Sequence, residues 1–567
     1  MTDKSLKKSR NIAVIQKTAR RIAFVSALFS LIVLVMMFIS FTRRNVIEPQ
    51  KENKLAELKN EFKDSGENPQ LEEKIRQLDL EIRQDRMRWL DFSRAGAIIL
   101  LFGAGITFAA FKYASNLDET APSVNASPPS GKTVRRQAVM SQRAVVITVA
   151  VLAVSAVLLA VRPSVEYISE DTYEQFHEKW PCFRGPDGSG TTDYSDIPLE
   201  FNVETNKNIL WKTPVPMEGK NSPVVWDDRL FLSGGNADKK QVFCFDANTG
   251  DLIWKRDVEY MAPKNADFAE PMEDTGYAAP TLAVDGKRVY AIFATGDIAA
   301  FDFSGQKVWA KNLGVPDSIY GYASSLVVYK KLLVVQYDQG ISDDGLSKMI
   351  ALDGFSGKIV WQTKRPVSNS WASPVIVNID GQDELIANAE PFVISYDPAT
   401  GEELWRVRCM SGDIASSPIY AGGNIFAVEP YNAMTAIKKG GRGNITETHI
   451  SWKAEDEIPD ICSPVSNGKY VFMLTTEGVL TCLQVLDGKV VWQEDLEEMF
   501  QASPSIVDGK LVLLSEKGNV TVAEIGPEYK QISKSLLKEH CVASPAFAPG
   551  RMYIRSEKNL YCIGKKN

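Results

Sequence analysis

Three histidines, His177, His449 and His540, lie far apart in this 567-residue chain, with no companion at metal-ligand spacing. A catalytic zinc needs several ligands converging on one point, and a histidine-based triad needs a nucleophile and an orienting carboxylate, so neither chemistry is expected. His540 stands beside Cys541, a pairing that suggests a thiolate. Yet Cys541 falls three residues before Ser544, and Cys462 falls directly before Ser463, at the starts of strands, where packing accounts for a thiol better than reactivity does. Cys244, Cys482 and Cys562 precede turns and read as buried thiols; with Cys182 and Cys409 the total is seven, an odd number whose pairing spacing cannot give.

Two acidic runs suggest a cation: Glu270-Pro271-Met272-Glu273-Asp274, and Glu455, Asp456, Glu457 and Asp460. Calcium needs six or more oxygens from a compact, glycine-punctuated loop, and neither run has that spacing, so both read as solvated loop charge. They remain the first place to look for a cation or cofactor on one face of the fold. A basic, glycine-rich stretch, Lys438-Lys439-Gly440-Gly441-Arg442-Gly443, reads as a hairpin that either reaches a partner or is a tolerated insertion. The net charge of −7 argues against a nucleic-acid partner.

The elements that position these residues repeat. An Asp, a turn Gly and a Trp recur as Asp246, Gly250 and Trp254; Asp302, Gly305 and Trp309; Asp353, Gly357 and Trp361; and Asp397, Gly401 and Trp405. A further copy, Gly488 and Trp492, has Gln484 at the Asp position, and a distorted one ends at Trp452. Asp caps the amides ahead of it, Gly takes positive φ, and the chain reverses into a strand carrying Trp. Burying such an indole is worth roughly 4 to 6 kcal/mol gross, an upper bound. A second series opens each unit: Ser222-Pro223, Ala279-Pro280, Ser324-Ser325, Ser373-Pro374, Ser417-Pro418, Ser463-Pro464, Ser503-Pro504 and Ser544-Pro545. Eight openings with short alternating runs between tight turns predict an all-β, eight-bladed β-propeller of four-stranded antiparallel blades over 205–567. Trp211 has no preceding blade and Leu560–Ile563 no following Trp strand, so the N-terminal strand is expected to complete the last blade.

Ahead of the propeller the sequence predicts an α-helical membrane region with three transmembrane helices, at 22–41, 95–113 and 144–161. The cations before the first run, and Lys132, Arg135, Arg136 and Arg143, place 1–21 and the Pro-rich linker 114–143 on the cytoplasmic side. Residues 42–94, read as a helical hairpin, and the leader 162–204 with its propeller then lie outside the cytoplasm. Ser26 and Ser30, Gly105 and Ala109, and Ala156 and Ala160 give small-residue spacing for helix packing.

The repeats resemble the pyrroloquinoline-quinone (PQQ) repeat, whose Ala-x-Asp-x-x-x-Gly-x-x-x-Trp pattern matches best from Ala351 to Trp361. The leader Trp180-Pro181-Cys182-Phe183-Arg184-Gly185-Pro186-Asp187-Gly188-Ser189-Gly190 also resembles the segment preceding envelope propellers of this kind. That resemblance implies either a quinone-dependent dehydrogenase or a cofactor-free propeller of the BamB-like branch. The dehydrogenases carry an adjacent Cys-Cys pair beside the quinone and long covering loops; this chain has neither. The expectation is therefore a scaffold without catalytic residues, metal or cofactor, integral to the bacterial inner membrane, multi-pass, with its propeller periplasmic and envelope proteins as partners. The alternative is a membrane dehydrogenase using PQQ with calcium to oxidise alcohols or sugars.

Overall fold

Each repeat builds one blade because its runs of Val, Ile, Leu and aromatic residues are too short for anything but strands, and turn chemistry separates them. The computed structural model describes residues 15–16, 18–31, 33–35, 100, 103, 105–114, 175–259 and 270–565. The chain divides into two units, Met1–Glu166 and Tyr167–Asn567. In the second unit eight antiparallel sheets follow one another, spanning 224–257, 283–312, 327–364, 375–408, 419–454, 465–495, 505–536 and 546–564, numbered here as blades 1 to 8. The innermost strands, such as Val224–Trp226 and Val327–Tyr329, are buried throughout. Outermost strands such as Leu252–Asp257 bury little beyond their Trp, so the core lies between blades rather than within a central layer.

Ring closure follows the expected route. The N-terminal strand Ile209–Pro214 pairs antiparallel with Asn559–Gly564, setting Trp211 opposite Cys562 as the fourth strand of blade 8. Two blades gain a fifth strand in parallel: Gly443–Asn444 on the outer edge of blade 4, and Thr191–Thr192 on the innermost strand of blade 7.

Strand direction alternates within each blade. The loop leading into a blade and the turn between its second and third strands therefore share one face, the loop face; the remaining turns form the opposite turn face.

The first unit corrects part of the membrane reading. Among the described residues one helix, Thr18–Val35, is long and apolar enough to cross a bilayer, not three. It begins a turn before the predicted 22–41, because Thr18 and Ala19 continue the helical pattern across Arg20 and Arg21. Of the second run, residues 100, 103 and 105–114 are described and helical; the hairpin 42–94, the linker and the third run, 144–161, lie outside the described residues. Ser26 Oγ donates to Gly103 O at 2.9 Å, and a Cβ on Gly103 would collide with Ser30. The Ser26–Ser30 spacing thus serves helix packing, but through Gly103; nothing lies within 4 Å of a Cβ built on Gly105.

Candidate functional site

The Asp turn, the Gly and the Trp work across neighbouring blades. Asp246 Oδ1 accepts the amides of Asn248 and Thr249, and Asp397 Oδ1 those of Ala399 and Thr400. Gly250 then takes φ +79° and lies so close to Trp211 of blade 8 that a Cβ would sit 2.6 Å from the indole. The same closeness joins Gly305 to Trp254, Gly357 to Trp309, Gly401 to Trp361 and Gly488 to Trp452. Four indole N–H groups reach the carbonyl just past the next blade's Asp position: Trp211 to Ala247, Trp254 to Phe303, Trp309 to Gly354 and Trp452 to Val485. Trp492 reaches Gly526, whereas Trp361 Nε1 is buried without a partner where Pro398 follows Asp397.

Trp405 departs from the series, because the following blade carries the basic insertion instead of an Asp turn. Gly443–Asn444 folds back on blade 4, Ile445 N–H bonds Arg406 O, and Trp405 is fully buried with its indole N–H on Glu384 Oε2 at 2.8 Å. The insertion covers a sheet edge within the same chain.

The blade-opening residues form a device that sequence reading did not foresee. The amide of Ser222 donates to Thr281 Oγ1, Thr281 to Ser325, Ser325 to Ser373, Ser373 to Ser417, Ser417 to Ser463, Ser463 to Ser503 and Ser503 to Ser544, all at 2.9–3.1 Å. These buried bonds link successive blades around the axis. They also shift the second opening by two residues: Thr281, not Ala279-Pro280, occupies the ring, two positions before strand Ala283–Val284.

The leader fills the axis inside this ring. Trp180 bridges to Val225 on blade 1, and Pro181 O accepts Val284 N–H on blade 2. A Cβ on Gly188 would sit 2.5 Å from Val375 of blade 4; Thr191 pairs with Ile506 of blade 7, and Trp180 packs edge-on against Phe547 of blade 8 at 5.1 Å. Only a segment on the axis can touch innermost strands on opposite sides of the ring. It enters from the turn face, where Lys179 pairs with Asp227 at 2.7 Å. Its apex is pinned by Arg184, 1% exposed, which donates to Ser463 O, Pro464 O, Pro504 O, Gly188 O and Ser189 O. Burial lowers the Arg184 guanidinium to about 10, so it stays charged at neutral pH, held by carbonyl dipoles.

A quinone on this axis does not fit the residues present, because leader main chain and side chains occupy the space. All seven cysteines are buried and unpaired, and burial pushes their thiols up, to about 12 for Cys244 and Cys541. His540 therefore has no thiolate beside it at neutral pH. Among the described residues no group of three His, Cys, Asp or Glu side chains is placed to hold a metal ion.

Both acidic runs lie on the loop face, away from the leader's entrance. Between blades 8, 1 and 2 a cavity of about 950 Å³ opens there, lined by Glu218, Asp238, Glu270, Glu273 and Glu557, with Lys220 and His540. On the same face, in other loops, Met272, Ile319, Ile341, Tyr431, Ile461 and Met499 are exposed, Tyr431 to 74%. Tyr320 meets Trp371 edge-on at 4.8 Å, and Tyr431 donates to Asp460 Oδ2 at 2.9 Å.

A family profile described as outer membrane protein assembly factor BamB matches residues 200–342, 347–458 and 447–526. The chain is 20% identical over 351 residues to the outer membrane protein assembly factor BamB of Yersinia pestis, covering 58% of this chain and 80% of that protein. It is 21% identical over 340 residues to an uncharacterized protein of Rickettsia conorii, covering 57% of this chain and 71% of the relative. Among solved structures, quinohemoprotein alcohol dehydrogenase from Comamonas testosteroni superposes with a TM-score of 0.53 at 12% identity, over 70% of this chain and 82% of that one. At that identity the likeness shows the fold alone.

Proposed function

The chain belongs to the family of the outer membrane protein assembly factor BamB, and from that membership we propose a membrane-anchored, envelope-facing propeller that acts as a protein-binding or assembly scaffold without catalysis or cofactor of its own. The observation that supports this reading is the axial leader: residues 180–192 of the chain itself run along the axis against the inner strands of the ring. The loop face keeps the exposed apolar and aromatic side chains that a partner needs.

The apolar helix Thr18–Val35 would anchor it, and crossings by the runs 95–113 and 144–161 as well would make it multi-pass in the inner membrane with the propeller periplasmic. Exposed Phe24, Leu28, Leu31, Leu34, Phe108 and Phe111 support a lipid environment for the first two. Reporter fusions after residues 94, 130 and 165 test the topology, with outside, inside and outside as the expected pattern.

The scaffold reading is tested by placing a photo-crosslinking side chain at Tyr431 in the full chain in membranes. Crosslinks to an envelope protein are expected. Dye-linked oxidation of alcohols or sugars after adding PQQ with calcium, abolished by chelation, would replace the scaffold by the dehydrogenase reading.

A further inference from the structure

We propose that the loop face recognises a basic, extended polypeptide segment, its Lys or Arg side chains entering the acid-lined cavity and its apolar side chains lying on the exposed aromatic and aliphatic residues of the same face. The inference rests on the scaffold reading and names the chemistry of the partner.

Charge complementarity selects this occupant. The cavity wall carries Glu218, Asp238, Glu270, Glu273 and Glu557. It also carries Lys220 and the buried Arg555, whose guanidinium donates to Asn221 Oδ1 at 2.7 Å, Ser233 O at 2.8 Å and Met217 O at 3.2 Å, while its Nε has no partner among the described residues. Among the described residues of the wall the five carboxylates outnumber the Lys220 and Arg555 cations, so a cationic side chain relieves their repulsion where an anionic one would add to it. Glu455, Asp456 and Glu457, in the loop into blade 6, extend the same sign across the face. Beyond the cavity the loop face adds what a long cationic side chain also uses: indole and phenol rings at Trp371, Tyr320 and Tyr431, and aliphatic surface at Ile319 and Met272 for the methylene stem. A cavity of about 950 Å³ holds several side chains, so the ligand is a segment and not a single amine.

Three labelled peptides on one Leu/Tyr framework, carrying four Lys, four Glu or four Gln, are titrated onto the full chain in detergent and followed by fluorescence anisotropy. The Lys peptide is expected to bind at least about tenfold tighter than the Glu peptide at low salt, with the advantage lost near about 0.5 M salt. The triple variant Glu218→Gln, Glu270→Gln, Glu273→Gln, with an unchanged melting curve, should weaken the Lys peptide by about threefold or more. Equal affinities for the three peptides, or a Lys peptide indifferent to the triple variant, would overturn the inference. Sequencing the segment crosslinked at Tyr431 separates the two claims: a neutral or acidic partner segment sinks the basic recognition and leaves the scaffold standing. No protein crosslink at all sinks the scaffold.

Discussion

At Gly401 two demands meet in one residue: φ of +75°, and an indole so near that a Cβ would lie 2.4 Å from Trp361. Gly381 has φ of +87° with nothing within 4 Å of a Cβ. Gly401→Ala should therefore cost about 2 to 4 kcal/mol and Gly381→Ala about 1 to 2, the difference being the lost fit against the indole. Denaturant midpoints followed by tryptophan fluorescence give both values; equal losses would show that the wedge against Trp361 contributes nothing. The Asp-Gly-Trp set was legible in the sequence because every member sits within one short turn. The amide-to-hydroxyl ring was not, since each bond joins residues some 40 to 59 positions apart in different blades. Only its Ser-Pro markers are visible in one dimension, and they misled at Ala279-Pro280, where a Thr takes the Ser position.

Among the elements, the closing strand of blade 8 depends on one carboxylate. Glu539 accepts Lys212 Nζ from that strand at 2.7 Å, Tyr561 OH at 2.6 Å and Asn559 Nδ2 at 2.8 Å, together with Ser556 Oγ. Burial alone would raise its carboxyl, but the hydrogen bonds from Lys212, Ser556, Tyr561 and Asn559 outweigh that and hold it down from 4.5 to about 2. The unfolded chain binds this proton first on acidification, so the contribution is complete above 4.5 and is lost as the pH falls toward about 2. Glu539→Gln should lower the melting temperature at neutral pH, and the gap to the natural chain should narrow across that window. A constant gap from pH 7 to 2 would place the group outside the linkage. Strand order and closure were readable from Trp211 and Leu560–Ile563, because alternation and turn residues are local. The fold-back of residues 443–444 was not, since a two-residue parallel pairing leaves no periodic trace.

For the whole molecule, the leader determines what the centre of the ring can do. Its Trp180–Gly190 stretch resembles the segment preceding envelope propellers, but the sequence gives no sign of where it lies, and only the ring around it gives Arg184 its carbonyls. Arg184→Ala removes these charge-assisted bonds and leaves Ser463, Pro464 and Pro504 carbonyls buried without a donor, a loss of about 3 kcal/mol or more. The expected result is faster proteolytic nicking within 176–194 while the blades stay intact. An unchanged cleavage rate in the leader would mean that the strand pairing at Thr191–Thr192 holds it without Arg184.

The eighth blade also dictates an order of biosynthesis. Ile209–Pro214 leaves the ribosome before any blade exists, while its hydrogen-bonding neighbour Asn559–Gly564 is made only after the blades that lie between them in sequence. Throughout translation the nascent chain therefore carries one orphan strand at its beginning and one raw sheet edge at its growing end. A stalled or prematurely terminated product retains both, which makes such fragments natural clients for holdase chaperones and quality-control proteases.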